Sequence, residues 1–375
     1  MSNIPNYEQW ATLNDYLNGI AVALGSQTDI TTWEGIQRAV RLGVAPDVFP
    51  IGTQFKVNHS VYGEKLYDVV AHNHFKSAKD ETAPTMTLMC HEVLPSLTYS
   101  APEAFYYADS KLPAGTYKFT LDTTYSSWEA GTYQFTLTKE LPAGGQLCFS
   151  GLANKALTTL SVQAYANRTT MSATESVTIT LGNSGTNLGT FGKELNDSMR
   201  VAVGSNNYKE SAIRQYLNSS AGADNVWTPQ TKFDRPPDWV KTRAGFMNGL
   251  DSDFAATIGE VIIPCFTNDT YEAPDSTVTK GSTYTLNDKF YLASHKEIFN
   301  TSSNALDEAV LFPYYEDAST VDYIKYKDDG SAVSWWTRTP TPAYTGSARY
   351  VNSDGSSRAG TVINSNGIAP VCTIV

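Results

Sequence analysis

Thirty-nine consecutive residues, Thr337 to Val375, contain no Lys, Glu, Gln, Met, Trp, Phe, Leu or His. Charged and large apolar residues are common in ordinary chains, so a run this long normally carries several of the eight. A succession of surface hairpins accounts for the bias through turn chemistry, because tight turns demand Gly, Asn, Asp and Ser. A second candidate cause lies at the codon level. Randomising both adenines of an asparagine codon ending in C yields Asn, Tyr, Ser, Thr, Gly, Ala, Arg, Ile and several others. It never yields Lys, Glu, Gln, Met, Trp or a stop. Phe, Leu and His are reachable by that route, so their absence is not explained by it. On composition alone the hairpin reading is preferred.

The rest of the chain has a β-rich character. Its 375 residues suffice for two or three domains with real cores. Charged residues make up only 17%, and Tyr alone occurs 22 times, a mixture typical of extracellular or virion proteins. The net charge of −11 argues against nucleic acid or an anionic membrane as partner, since both select basic surfaces. Cys90, Cys148, Cys265 and Cys372 are far apart, which predicts buried free thiols and neither a disulfide framework nor a zinc site. The start MSNIPNYEQWATL lacks the features of a signal peptide, and no segment is long enough to span a bilayer. Synthesis in the bacterial cytoplasm and release with assembled particles is the expectation.

Residues 1–48 carry helical spacing: Tyr7, Trp10, Leu13, Tyr16 and Leu17, then Trp33, Ile36 and Val40 behind a Thr32 cap, with stop signals at Gly43 and Pro46. From residue 49 to 191 short alternating strands predict one antiparallel β-sandwich. AGTYKFTL at 114–121 returns as AGTYQFTL at 130–137, which reads as two equivalent hairpin arms with Ala-Gly turns and Tyr/Phe core faces. His72, His74 and His91 fall in this region; exposed strand histidines are a better reading than a metal site. Residues 192–375 open with a helix, KESAIRQYLNS (209–219), whose Ile213, Tyr216 and Leu217 form an apolar stripe. After a Pro/Asp/Trp-rich loop come VIIPCF, KFYLAS, AVLFPYY, WWTRTP, ARYVN and GIAPVCTIV, all read as strands.

In the same zone GSNNYKESAIRQYLNS, FDRPPDW, AGFMNGLDSDF, DKFYLASHKEIF, SWWTRTP, VNSDGS and NGIAPVCTIV follow one another. This ordered set resembles the C-type-lectin-like domain of variable proteins of diversity-generating retroelements, carried by phages and prophages. That domain is related in fold to the formylglycine-generating enzyme. The resemblance covers about residues 192–375, and FPIGTQFKVNHS, LYDVVAHNHF, APEAFYYADSKLPAGTYKFTL and LPAGGQLCF extend it into the preceding part. In that family a reverse transcriptase copies a template with errors at adenines, so the missing-residue pattern becomes an expectation. The fold implied is mainly β with some α: a helical segment 1–48, a sandwich 49–191 and a lectin-like domain 192–375.

The resemblance separates scaffold from variable surface. Trp335 and Trp336 are apolar anchors, Arg338 ties strand to loop by hydrogen bonds, and Pro340 ends the strand. Asn352, Asp354 and Gly355 form a turn. Asn366, Gly367, Ile368, Ala369, Pro370 and Cys372 to Val375 resemble the fixed closing strand. The variable, ligand-binding positions are Ala343, Tyr344, Thr345, Gly346, Ser347 and Tyr350, then Arg358, Ala359, Gly360, Thr361, Ile363 and Asn364, with Arg349 and Val362 as fixed neighbours. Tyr, Arg and small residues are what adaptable binding loops use, so Tyr344, Tyr350 and Arg358 are the expected anchors.

Catalysis is the weaker reading. The enzyme relative depends on a copper-binding cysteine pair, and neither Cys265 nor Cys372 has a partner placed near it by sequence. Asp251, Asp253 and Glu260 suit a polysaccharide-cleaving site less well than caps and solvated surface. Calcium-dependent lectin tripeptides are missing, and Asp234, Asp238, Asp251 and Asp253 are weak candidates for a structural cation. The expectation is a non-enzymatic protein without cofactor, displayed on a virion as the receptor-binding tip of a tail fibre. Its partners would be a host-surface protein or glycan, other virion proteins through the N-terminal region, and further copies of itself in a homotrimer. A structural decoration protein of the particle is the alternative.

Overall fold

The computed structural model describes residues 15, 29–100, 104–122, 129–149, 161–167, 172–191, 206–228, 236–267, 282–299, 308–341 and 346–375. The architecture is mainly β, with antiparallel sheets and short helices, as the sequence predicts. Helix Trp33–Arg41 starts where Thr32 accepts a hydrogen bond from the Gly35 amide, and Glu34 and Arg41 suit the two ends of its dipole. Pro46 does not stop helical structure. It sits in the first turn of helix Ala45–Val48, where its missing N–H costs nothing. The helix expected over Tyr7–Leu17 lies outside the described residues, apart from Asp15, which is helical.

Among the described residues the buried apolar side chains form two large cores, and their boundaries differ from the expected domains. The larger core runs from Ile30 to Ile374 and contains Ile36, Ala39 and Val40 of the first helix. It is built on two five-stranded sheets. In one, Gln54–His59, Gly63–His72, Met86–Cys90, Pro370–Ile374 and Phe290–Leu292 lie side by side in that order. The last strand of the chain is thus inserted between an early strand and a middle one, pairing Val371 with Met89 and Cys372 with Phe290. In the other sheet the order is Ser357–Thr361, Ser347–Val351, Trp335–Pro340, Ser365–Ile368 and Leu94–Thr98. Residues 30–98 therefore belong with the C-terminal part, not with a helical segment and a sandwich. Gln37 Nε2 and Arg41 Nε reach the Val375 carbonyl at 2.8 and 3.2 Å, which ties the first helix to the closing strand. Alternation within a strand identifies a face, but not the partner strand, so this long-range pairing was not legible locally.

The sandwich is smaller than expected, and its described strands run from Ala104–Tyr107 to Thr186–Phe191. One of its sheets orders Glu175–Thr178, Ser161–Tyr165, Gln146–Phe149 and Ala104–Tyr107; the other orders Thr180–Leu181, Gly131–Leu137, Gly115–Leu121 and Thr186–Phe191. The repeated octapeptides are the two arms of one hairpin, paired from Gly115↔Leu137 to Leu121↔Gly131. Their Tyr and Phe rings face inward as the spacing predicts, with Tyr117 on Phe135 and Phe119 on Tyr133 at 5.8 and 5.7 Å. The Ala-Gly pairs open the strands and do not form turns between them.

Two further sequence expectations are corrected. AVLFPYY forms a 3-10 turn, Pro313–Tyr315, because Pro313 cannot donate to a strand ladder. GIAPVCTIV breaks at Ala369, and its halves join different sheets.

Candidate ligand-binding hairpin

Strand Trp335–Pro340 is buried at every position and carries the candidate surface on its flank. The two tryptophans point to opposite faces. Trp335 Nε1 donates to the Tyr323 carbonyl at 3.1 Å, and Trp336 Nε1 to the Leu97 carbonyl at 2.9 Å. Arg338 is fully buried. Its guanidinium grips Glu297 in two parallel bonds of 2.7 and 2.8 Å. Three more donations reach the carbonyls of Leu292, Pro264 and Glu308 at 2.8, 3.2 and 3.2 Å, which uses the donor capacity of the group. Glu297 in turn completes a capping box with Ser294. Burial works against its ionisation, but the Arg338 charge and the Arg338 hydrogen bonds outweigh that and hold the carboxyl below its ordinary value.

Glu308 is the second buried carboxyl beside Arg338. Burial raises it to about 7, against the lowering pull of Arg338 and the Thr339 hydroxyl. Thr339 Oγ1 donates to one carboxyl oxygen and the Phe266 amide to the other. A folded-state pKa raised above the unfolded value of 4.5 stabilises the fold below that value and loses the contribution as pH rises through 7. Between about pH 5 and pH 8 the urea midpoint should therefore fall more steeply for the parent than for Glu308→Gln. The difference should be on the order of 2 kcal/mol across the window. Parallel pH profiles for the two proteins would contradict this.

Strand Ser347–Val351 pairs with Trp335–Pro340 on one side and with the edge strand Ser357–Thr361 on the other. The register sets Ser347 opposite Thr361, Tyr350 opposite Arg358, Ala348 opposite Gly360 and Arg349 opposite Ala359. Six of the candidate variable residues, Ser347, Tyr350, Arg358, Ala359, Gly360 and Thr361, thus meet on one hairpin. Arg358 and Ala359 are exposed, whereas Tyr350 is half-buried and meets Trp336 edge-on at 5.8 Å. A Cβ on Gly360 would lie 2.9 Å from the Tyr350 ring, so these two positions are sterically coupled. Gly346 receives the Val362 amide at 3.0 Å beside the hairpin's open end. Ile363 is half-buried against the core and Asn364 is exposed in the following turn, so neither belongs to the hairpin itself. Ala343, Tyr344 and Thr345 lie outside the described residues.

The turn at the closed end is built from Asn352, Asp354 and Gly355. The Asn352 amide donates to the Ser356 carbonyl, and Asp354 accepts from the Ser356 hydroxyl and amide at 2.6 and 2.9 Å. Those hydrogen bonds hold the Asp354 carboxyl down to about 2. Gly355 adopts φ +81°. Gly367 is buried against Val93, and Pro370 begins the closing strand. Val362 and Ala348 are fully buried and fix the hairpin to the core.

Sequence reasoning missed the opposite face of the hairpin. His295 Nε2 and Ser357 Oγ are 2.6 Å apart, and Thr337 Oγ1 donates to the Arg349 carbonyl at 2.9 Å. Burial, then the nearby Arg349 charge, push His295 down to about 4, so it is neutral at ordinary pH. Ser294-x-x-Glu297 has the spacing of a capping box, a signal that could have been used, but nothing local joins it to Arg338.

The remaining candidates do not converge. His91 is exposed, as expected, and pairs with Asp68, whereas His72 is half-buried and bonds the Phe49 carbonyl, and the His74 side chain is buried 3.7 Å from Glu297, contrary to the expectation. Asp251 caps helix Ser252–Thr257 and Asp253 lies in its first turn. Asp238 opens a 3-10 turn, and Asp234 lies outside the described residues. Cys90, Cys148, Cys265 and Cys372 are buried and not joined in disulfides. Burial raises Cys265 to about 12, which leaves it a thiol. No described helix is long and apolar enough to cross a membrane.

A family model described as "Domain of unknown function (DUF6273)" matches residues 174–375. No curated protein and no solved structure matches the chain. The matched span contains the hairpin, Arg338 and both buried carboxyls, but not the strands at 54–98 that complete the two sheets.

Proposed function

The chain belongs to the DUF6273 family, and on that footing we propose that it is a non-enzymatic binding protein whose hairpin 347–361 presents an exchangeable ligand-recognition surface. One observation carries the reading. Six candidate variable residues share two paired strands at a sheet edge, while Arg338 and Glu297 behind them are paired inside the core. Side chains such as Arg358, Ala359 and Thr361 can therefore change without disturbing the scaffold, and Tyr350 with Arg358 offers an aromatic face beside a forked donor. The lectin-like character of the domain rests on the seven ordered motifs. From the same resemblance come a position on a phage tail fibre, a host-surface protein or glycan as ligand, and a homotrimer whose avidity multiplies weak single contacts.

The direct test is to sequence this locus and its flanking DNA from many isolates. Substitutions confined to 343–350 and 358–364, at positions matching adenines of a nearby template repeat, are expected. An invariant tail without a repeat would sink the proposal. In the purified protein, joint replacement of Arg358, Ala359 and Asn364 should change stability by no more than about 0.5 kcal/mol per site. A monodisperse monomer at micromolar concentration in sedimentation would count against the trimer.

A further inference from the structure

We infer that a second site, separate from the hairpin and independent of its reading, binds a basic peptide segment through its Lys or Arg side chains. The site is a groove of about 560 Å³ between the 91–92 turn and the 3-10 turns Pro313–Tyr315 and Thr320–Tyr323. That volume lies within the range of roughly 300–1,000 Å³ found for ligand clefts.

Glu92, Asp317 and Asp322 line the groove, and neither Lys nor Arg does. Lys325, between the lining residues Ile324 and Tyr326, is buried and donates to the carbonyls of Cys90 and His91 at 2.6 and 3.0 Å, so its charge is turned inward, and the lining His91 pairs with Asp68. Two of the carboxylates are held in position by the fold but are not used up. Glu92 Oε2 accepts from the Leu66 amide at 3.1 Å, and Asp322 Oδ2 accepts from the Ser319 amide and hydroxyl at 2.7 Å each. Each keeps its other oxygen for a ligand. The Ser319 bonds also hold Asp322 below the usual carboxylate range, so it stays ionised.

Apolar groups share the same walls. Val321 is 68% exposed and Tyr326 47%, two of the seven large apolar side chains so exposed among the described residues. A small inorganic ion has no use for them. Among the described residues, moreover, no three His, Cys, Asp or Glu side chains are arranged to hold a metal ion. Lys and Arg side chains match both halves of the lining: their stems cover apolar surface while their heads reach carboxylates, and a guanidinium also stacks on a tyrosine ring. The net charge of −11 speeds the approach of such a partner.

The test uses the full chain and a fluorescein-labelled peptide in which Gly alternates with Arg and Lys, read by fluorescence anisotropy at about 150 mM salt. Glu92→Gln with Asp317→Asn should weaken binding about tenfold, and Tyr326→Ala should weaken it by less. Glu129→Gln with Glu140→Gln removes the same charge from the sandwich and should leave affinity unchanged. Circular dichroism melts should confirm that every variant is folded. Equal losses in both double variants would reduce the effect to general attraction and overturn the site. So would an unaffected groove variant, or equal binding of the peptide with Glu in place of Arg and Lys. Free arginine competing as well as the peptide would overturn the assignment to a peptide.

Discussion

Replacing Arg338 by methionine should lower the unfolding free energy by about 3–5 kcal/mol, the cost of leaving a buried carboxylate without its counter-charge. Glu297 would remain fully buried, and the carbonyls of Pro264, Leu292 and Glu308 would lose donors at the same time. Tryptophan fluorescence during urea unfolding is the right probe. Trp33, Trp227, Trp239, Trp335 and Trp336, five of the seven tryptophans, pack in or against the large core. Adding Glu297→Leu should recover part of the loss, because an apolar pair no longer strands a charge. The recovery stays partial, since Glu297 also accepts the Ser294 amide at 2.7 Å. A methionine variant within about 1 kcal/mol of the parent would show that the pair does not hold the strand under the hairpin.

Gly355→Ala should be the costliest change at the hairpin's closed end, at about 2–4 kcal/mol. Two penalties combine there. The φ of +81° is unfavourable for any residue with a Cβ, and that Cβ would stand 1.9 Å from the Thr320 carbonyl oxygen. Gly330 separates the two, because its φ is +79° and nothing lies within 4 Å of an added Cβ. Gly330→Ala should therefore cost only about 1–2 kcal/mol. The same urea titration compares them, and equal costs would show that the turn does not press against the Thr320 backbone. A larger loss at 355 would mean that the hairpin is locked at its turn, which suits a surface whose side chains are meant to vary.

Several parts of this arrangement were legible in the chain. Thr32 before Trp33 marked a helix start, and alternating Tyr and Phe in the repeated octapeptide marked an inward face. Asn352, Asp354 and Gly355 announced a turn through residues that turns require. Trp335 and Trp336 stood out as large side chains next to a tail of small ones, the resemblance set Arg338 with them in the scaffold, and all three are fully buried. Other parts were hidden. AVLFPYY (309–315) read as strand and holds a 3-10 turn, and Ile363 read as a surface position but packs on the core. Burial of one side chain depends on which elements cover it, and the local pattern does not name them.

By itself, then, the sequence determined local geometry: short strands, caps, turns and the residues that must be anchors, because φ/ψ preference and alternation act over a few positions. Only the tertiary structure decided which anchors meet. Arg338 finds Glu297, 41 residues earlier, and strand Pro370–Ile374 closes a sheet begun at residue 54. Ala369 sends two halves of one apolar run into different sheets. Such pairings are chosen by the burial gained when distant segments close on one another, a quantity of the whole chain that no short window contains.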